Sequence, residues 1–249
     1  MICAGRISLG AVMLRRQGRN RSGFRSGKGR MMKEEKERNV QREERIAKVL
    51  LDTRAVFFRP EEPFTWASGI KSPVYCDNRL ILTDVEGRRT VEDELTAMIG
   101  REFPEAQALF GTATAGIPHA AIAGHAMDLP MGYVRSGAKD HGRKSRIEGR
   151  LIPGQKVVVI EDLISTGGSV ISAAEALREE GAEVIGVAAL FTYGLEKSRV
   201  AFEKAEIKLA CLTDFDRVIG VALREGYIDR SEGKALEEFK RELNKRREN

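Results

Sequence analysis

Short, unbroken apolar runs separated by helix-length segments organise the second half of the chain. The runs QALF (107–110), MGYV (131–134), KVVVI (156–160), EVIGVAALF (183–191) and IKLACL (207–212) predict strands. Segments 116–128, 168–180 and 196–205 between them predict helices, and further helices are expected near 214–224 and 231–246. Strands that are apolar along their whole length are covered on both faces. Connections long enough for a helix then point to a parallel sheet between helical layers, an α/β architecture.

Upstream, Glu34 to Phe58 is charged at first and then apolar at Ile46, Val49, Leu50 and Val56, which predicts a helix whose last turns are packed. The next segment, FRPEEPFTWASGIKSPVYCDNR (58–79), is broken by Pro60, Pro63, Gly69 and Pro73 and can form only short strands and turns. It reads as a cap over a larger core. Asp84 reads as the N-cap of a helix that runs to Ile99. With 249 residues, 42% of them hydrophobic, the chain can bury one substantial core. We therefore expect an extension over 1–33 and one domain over 34–249, with the cap formed largely by 34–80.

The net charge of +5 changes this picture little, because eight of the bases (Arg6, Arg15, Arg16, Arg19, Arg21, Arg25, Lys28 and Arg30) lie in residues 1–30, which hold no acid. In the remainder 37 acids face 34 bases, so the basic balance belongs to the extension and no nucleic-acid partner is expected for the folded part. The extension is rich in Arg, Gly and Ser and lacks an apolar stretch fit for a signal peptide or a membrane span. It is expected to be disordered. A transit peptide, an RNA-binding arm and a start at Met31 or Met32 are the readings it leaves open. Cys3, Cys76 and Cys211 are far apart and odd in number, as free thiols of a cytoplasmic protein would be.

The chemistry concentrates in KVVVIEDLISTGGSVISAAEAL (156–177): a buried strand, two acids, a small-residue loop and a helix. Ligands of open α/β sheets bind beyond the carboxyl ends of strands, where Glu161 to Ser169 would fall. Ser165, Thr166, Gly167, Gly168 and Ser169 offer hydroxyls and backbone N–H groups at a helix N-terminus, a cradle for a phosphate monoester. Two carboxylates beside a phosphate repel it unless they face hydroxyls or a cation, and ribose hydroxyls and Mg²⁺ both satisfy that demand. No Gly-Lys-Ser/Thr follows the glycines, so ATP hydrolysis is disfavoured. A second cluster, Arg135, Lys139, His141, Arg143, Lys144 and Arg146, crowds a Gly-containing stretch between two strand-like segments. Such a cationic arm suits a multiply charged anionic leaving group.

The string at 156–169 resembles the binding motif for phosphoribosyl pyrophosphate (PRPP) in the type I phosphoribosyltransferases. FTWASGIKSPVYCDNR (64–79) resembles the N-terminal cap, or hood, of the orotate phosphoribosyltransferases, in the form found in Gram-positive bacteria. GTATAGIPHA (111–120) resembles that family's pyrophosphate loop, and YVRSGAKDHGRKSRIEG (133–149) its mobile catalytic loop. Together these cover about residues 40 to 245.

The resemblance implies the type I phosphoribosyltransferase fold, a central parallel sheet flanked by helices under a small hood, and transfer of phosphoribosyl from PRPP to orotate. It implies that Glu161 and Asp162 hold the ribose hydroxyls, within a PRPP segment that includes Leu163 and Ile164, and that Ser165 to Ser169 hold the 5′-phosphate. Arg135, Lys139 and His141 would meet the pyrophosphate, with Lys139, His141 and Asp162 as the catalytic set. The loop would reach into the partner subunit of a homodimer. Mg²⁺ would be held mainly through PRPP, with Asp162 as a water-mediated contact.

Enterobacterial-type members carry a lysine where this chain has Ala67, a Tyr-Lys pair in place of Thr114-Ala115, and an orotate-contacting arginine near Tyr193. Those contacts do not transfer, and Ser165 with backbone amides of the cap is the expected orotate contact. Arg54, Arg59 and Lys71 are further cations for the orotate carboxylate, and Phe64 and Trp66 are aromatics for stacking or packing. His119 and His125 are expected to be satisfied, partly buried and without a catalytic role. The rivals are a purine or uracil phosphoribosyltransferase, disfavoured by the cap and the Lys-Asp-His-Gly loop, and a PRPP-sensing regulator, disfavoured by the cationic arm.

Overall fold

A computed structural model describes residues 22–59, 61–65, 71–137 and 146–245, with side chains from residue 32. Two units are distinguished, residues 1–39 and 40–249. The second contains a six-stranded sheet in the order β10-β9-β8-β5-β6-β7. Its strands are β5 (Ala108–Thr112), β6 (Met131–Val134), β7 (Ile147–Glu148), β8 (Lys156–Ile164), β9 (Glu183–Thr192) and β10 (Leu209–Asp214). All neighbouring pairs are parallel except β6 and β7.

The apolar runs of the central strands divide their side chains between two cores, because successive residues of a strand point to opposite faces. Leu109, Val158, Ile160, Ala188 and Leu190 join one core. It is completed by α1 (Ser22–Asp52) through Ile46 and Leu50, α2 (Val85–Glu102) through Val91, Leu95 and Ile99, α3 (Gly116–Ala126) through Ala120 and Ala123, α6 (Phe215–Glu225), and α7 (Arg230–Lys245) through Leu236. Phe110, Val157, Val159, Val187 and Ala189 join the other, against Val170, Ala174 and Leu177 of α4 (Gly168–Glu179) and Phe202 of α5 (Glu196–Lys204). The strands are therefore buried on both faces.

Helix ends follow local chemistry. Asp84 Oδ1 accepts from the Gly87 N–H at 2.5 Å and caps α2, and Asp214 Oδ1 accepts from the Arg217 N–H at 2.9 Å and caps α6. Gly226, at φ 79°, ends α6 in the left-handed conformation that glycine adopts without penalty.

The hood consists of two short antiparallel pairs: β1 (Val56–Phe58) with β4 (Val74–Cys76), and β2 (Phe64–Thr65) with β3 (Lys71–Ser72). The buried Ser72 hydroxyl donates to the Val74 carbonyl at 2.6 Å and turns the chain between β3 and β4. A 3-10 turn, Asn78–Thr83, leads into α2.

Three sequence expectations are corrected. The expected helix from Glu34 to Phe58 instead ends at Asp52, because Arg54 takes a left-handed φ of 56° and Val56-Phe57-Phe58 pairs as a strand. The disorder expected through residue 33 does not apply from Ser22 onward, where α1 begins; its Lys33–Glu37 and Arg38–Glu35 pairs are of the spacing that supports a helix, and residues 1–21 lie outside the described residues. Strand β8 does not stop at Ile160. It continues through both acids because β9 pairs with it as far as Ile164↔Thr192.

Candidate active site

The carboxyl ends of β5, β6 and β8 open into a cavity of about 500 Å³ lined by Asp77, Thr112, Arg135, Arg146, Glu161 and Asp162, with Leu163, Ser169 and Ser172 among its other walls. On one side the N-cap of α4 is Gly167, a left-handed residue at φ 85° that contributes no capping side chain, so the first N–H groups of α4 are not taken up by one. A side chain at Gly167 would meet the Phe202 ring at 2.8 Å, which leaves glycine as the residue that fits both the conformation and the space.

Glu161 is 7% exposed. Its Oε1 accepts from the Thr112 hydroxyl at 2.7 Å and from the Asp162 N–H at 3.1 Å. Burial, above all, and the adjacent Asp162 carboxyl push Glu161 up to about 8, against the opposing pull of the Thr112 hydrogen bond. One of two neighbouring acids thus sits near neutrality, poised to gain charge when a donor such as a hydroxyl arrives. The Asp162 carbonyl accepts from Asn78 Nδ2 at 2.6 Å, and Asn78 Oδ1 accepts from the Cys76 thiol at 3.2 Å. Burial and the nearby Asp162 and Asp77 hold that thiol well above its usual range.

Two arginines, Arg135 and Arg146, line the same cavity. The Arg135 N–H donates to the Arg146 carbonyl at 2.8 Å, and Arg146 Nε returns a bond to the Arg135 carbonyl at 3.0 Å. Arg146 also reaches the Ser172 hydroxyl on α4 at 2.9 Å. Arg135 faces Glu148 at 3.8 Å. At the rim, Asp77 holds Arg79 through two bonds of 2.6 and 2.7 Å. Acids for hydroxyls, fixed cations for anions and an open helix N-terminus suit a ligand carrying a sugar diol and separate phosphate groups.

The structure brings Arg135, Glu161, Asp162, Leu163 and Ser169 to this cavity. Ser165, Thr166, Gly167 and Gly168 form the turn between β8 and α4 beside it and are not among its lining residues. The Ile164 side chain is buried in the core at 1% exposure and its carbonyl accepts from the Tyr193 N–H at 3.0 Å, so it offers the cavity little. Lys139, His141, Trp66 and Ala67 lie outside the described residues. Tyr193 is a core residue, edge-on to Phe191 and tilted against Phe215. Arg54 lines a different cavity with Asp52 and Tyr227, and Arg59 stacks on Phe64 at 5.1 Å. His119 is buried, with Nδ1 2.6 Å from Glu92 Oε1, whereas His125 is exposed on the outer side of α3, contrary to the expectation of partial burial. Asn78, Thr112 and Ser172 were not singled out from sequence. Arg146 was recognised only as part of the cationic cluster.

Residues 90–224 match the phosphoribosyl transferase domain family. Orotate phosphoribosyltransferase from Bacillus subtilis (strain 168) is 56% identical over 196 residues, spanning 79% of this chain and 91% of that protein. The chain belongs to the orotate phosphoribosyltransferase family. The orotate phosphoribosyltransferase of Listeria innocua is 54% identical over 199 residues, 80% of this chain and 95% of that one. Among solved structures, orotate phosphoribosyltransferase from Aeropyrum pernix superposes with a TM-score of 0.65 at 30% identity, covering 74% of this chain and 99% of that chain. Leishmania donovani UMP synthase does so with a TM-score of 0.68 at 26% identity, over 80% of this chain and 42% of that one. The family's fold is the one described above, a six-stranded, mostly parallel sheet flanked by helices. In this family member the acidic end of β8 and the paired arginines line one cavity, with the turn into α4 beside it.

Proposed function

We propose that this chain transfers the 5-phosphoribosyl group of PRPP to orotate, releasing pyrophosphate and giving orotidine 5′-monophosphate in pyrimidine biosynthesis. The observation that carries this reading is the presence of Glu161, Asp162 and Arg135 in one cavity of a chain 54% and 56% identical to orotate phosphoribosyltransferases. Glu161 and Asp162 accept from the ribose 2′- and 3′-hydroxyls, and Ser165 to Ser169 with the first N–H groups of α4 hold the 5′-phosphate. Arg135, Lys139 and His141 meet the pyrophosphate, and Ser165 contributes to orotate.

A ring nitrogen of orotate displaces pyrophosphate at C1 through a ribose with oxocarbenium character. Orotate brings its own negative charge, so the protein needs no covalent nucleophile. Its task is to align two anions and to stabilise the departing one.

Among the described residues no three His, Cys, Asp or Glu side chains assemble into a metal cage. A pair of carboxyls, one of them held toward neutrality, fits a Mg²⁺ bound mainly by substrate oxygens with Asp162 as a water-mediated contact. When bound, Mg²⁺ neutralises charge on the pyrophosphate. The enzyme acts in the cytoplasm as a homodimer whose loop, containing Lys139 and His141, completes the partner's site.

The test is product chromatography after incubation with PRPP, Mg²⁺ and, separately, orotate, hypoxanthine, adenine and uracil. A nucleotide from orotate alone supports the assignment, and a nucleotide from another base in place of orotate overturns it.

A further inference from the structure

Thr112 closes β5 beside the acidic end of β8. The two strands are in register at Gly111↔Ile160, which puts the next residue of each, Thr112 and Glu161, side by side on one face. Thr112 is 6% exposed, and its Oγ1 lies 2.7 Å from Glu161 Oε1 and 3.3 Å from the Ile160 carbonyl. A hydroxyl has one proton to give, and the shorter approach to the carboxyl oxygen takes it. The Asp162 N–H donates to that same Oε1. The donors from Thr112 and from the Asp162 backbone thus fall on one oxygen, while the Asp162 carboxyl is the other neighbour of the group.

Backbone packing makes the approach possible. A Cβ at Gly116 would stand 2.4 Å from the Ile160 carbonyl oxygen and 2.6 Å from Thr112 Oγ1, and one at Gly111 would stand 2.6 Å from the Gly116 carbonyl oxygen. Without side chains at these two positions, the turn from β5 into α3 lies against β8 closely enough for the hydroxyl to meet the carboxyl.

We infer that Thr112 is a positioning residue for PRPP: its hydroxyl holds Oε1 of Glu161 and thereby presents Oε2 to the ribose diol. The inference rests on the proposed function, because it takes the ribose as the occupant of the cavity. Replacing the hydroxyl by a methyl group leaves the buried carboxyl short of a donor and free to turn, and makes its anion less favourable.

The test compares Thr112→Val, Thr112→Ser, Glu161→Ala and the Thr112→Val/Glu161→Ala pair with the wild type, by steady-state kinetics and by calorimetric titration with PRPP and Mg²⁺. Thr112→Val is expected to raise KM for PRPP roughly ten- to a hundredfold, with smaller changes in kcat and in KM for orotate. The pH at which PRPP binding weakens should move upward in this variant and return in Thr112→Ser. In the Glu161→Ala background the valine should cost nothing further, since the partner it acts through is gone. If Thr112→Val does not fold, Thr112→Ala against Thr112→Ser supplies the same contrast. An unchanged KM and pH profile, or an equal loss in both backgrounds, overturns the inference. A wild type inactive on orotate overturns the parent reading, whereas an active wild type indifferent to Thr112 overturns this inference alone.

Discussion

Asn78, in the turn that follows the hood, donates through Nδ2 to the backbone carbonyl of Asp162 at 2.6 Å. The side chain is fully buried, and its own oxygen accepts from Cys76 of β4. One amide therefore ties the hood to the acidic end of β8.

Asn78→Ala leaves that carbonyl without its donor, a loss of about 1–3 kcal/mol for a buried group. The variant should unfold at lower urea concentration than the wild type and bind PRPP more weakly, because Asp162 loses its backbone support. A wild-type midpoint together with a wild-type KM for PRPP would contradict this link.

Arg146 joins the two stems that flank residues 138–145 and docks them on Ser172 of α4. Arg146→Met keeps an unbranched apolar stem and removes the three hydrogen-bonding nitrogens of the guanidinium. We expect kcat/KM for PRPP to fall by roughly tenfold or more, with the orotate dependence less affected, since charge-assisted bonds contribute about 1.5–3 kcal/mol. Equal losses for the two substrates would argue that Arg146 serves only the fold.

Five of the six strands of the sheet were legible because buried parallel strands carry continuous apolar runs, as KVVVI and EVIGVAALF do, whereas the two-residue antiparallel edge strand β7 has no such run. Asp84 was legible as a cap because a carboxylate before a helical pattern has a local mechanism. Glu161 and Asp162 were read as residues beyond the strand, because acids seldom continue a buried one; pairing with β9, far away in sequence, carries the strand past them. Thr112 and Asn78 lie inside the segments GTATAGIPHA and FTWASGIKSPVYCDNR, but nothing local marks their individual roles. Their partners lie 49 and 84 positions away, and only the packing of β5 and the hood on β8 brings them together.

Stability should vary with pH through Glu161. Its carboxyl is raised from an ordinary 4.5 to about 8 by burial and by Asp162, so between those values the folded chain holds a proton that the unfolded chain has released. Stability of the unliganded protein then declines as pH rises through this window, and Glu161→Gln, which cannot ionise, should remove that part of the slope. Thermal midpoints of both proteins across the window check this, and parallel curves would refute it.

Lys139→Ala should lower kcat on the order of a hundredfold, as removal of a group that stabilises developing negative charge does. The unfolding midpoint should not move. Unchanged steady-state rates would remove Lys139 from the reaction.

The most direct test of the central claim is the absorbance of orotate after purified protein is mixed with PRPP and Mg²⁺. A fall that requires the protein, PRPP and Mg²⁺ together, and that is lost in Asp162→Asn, is the predicted result. Constant orotate absorbance under conditions where the protein measurably binds PRPP would contradict the assignment.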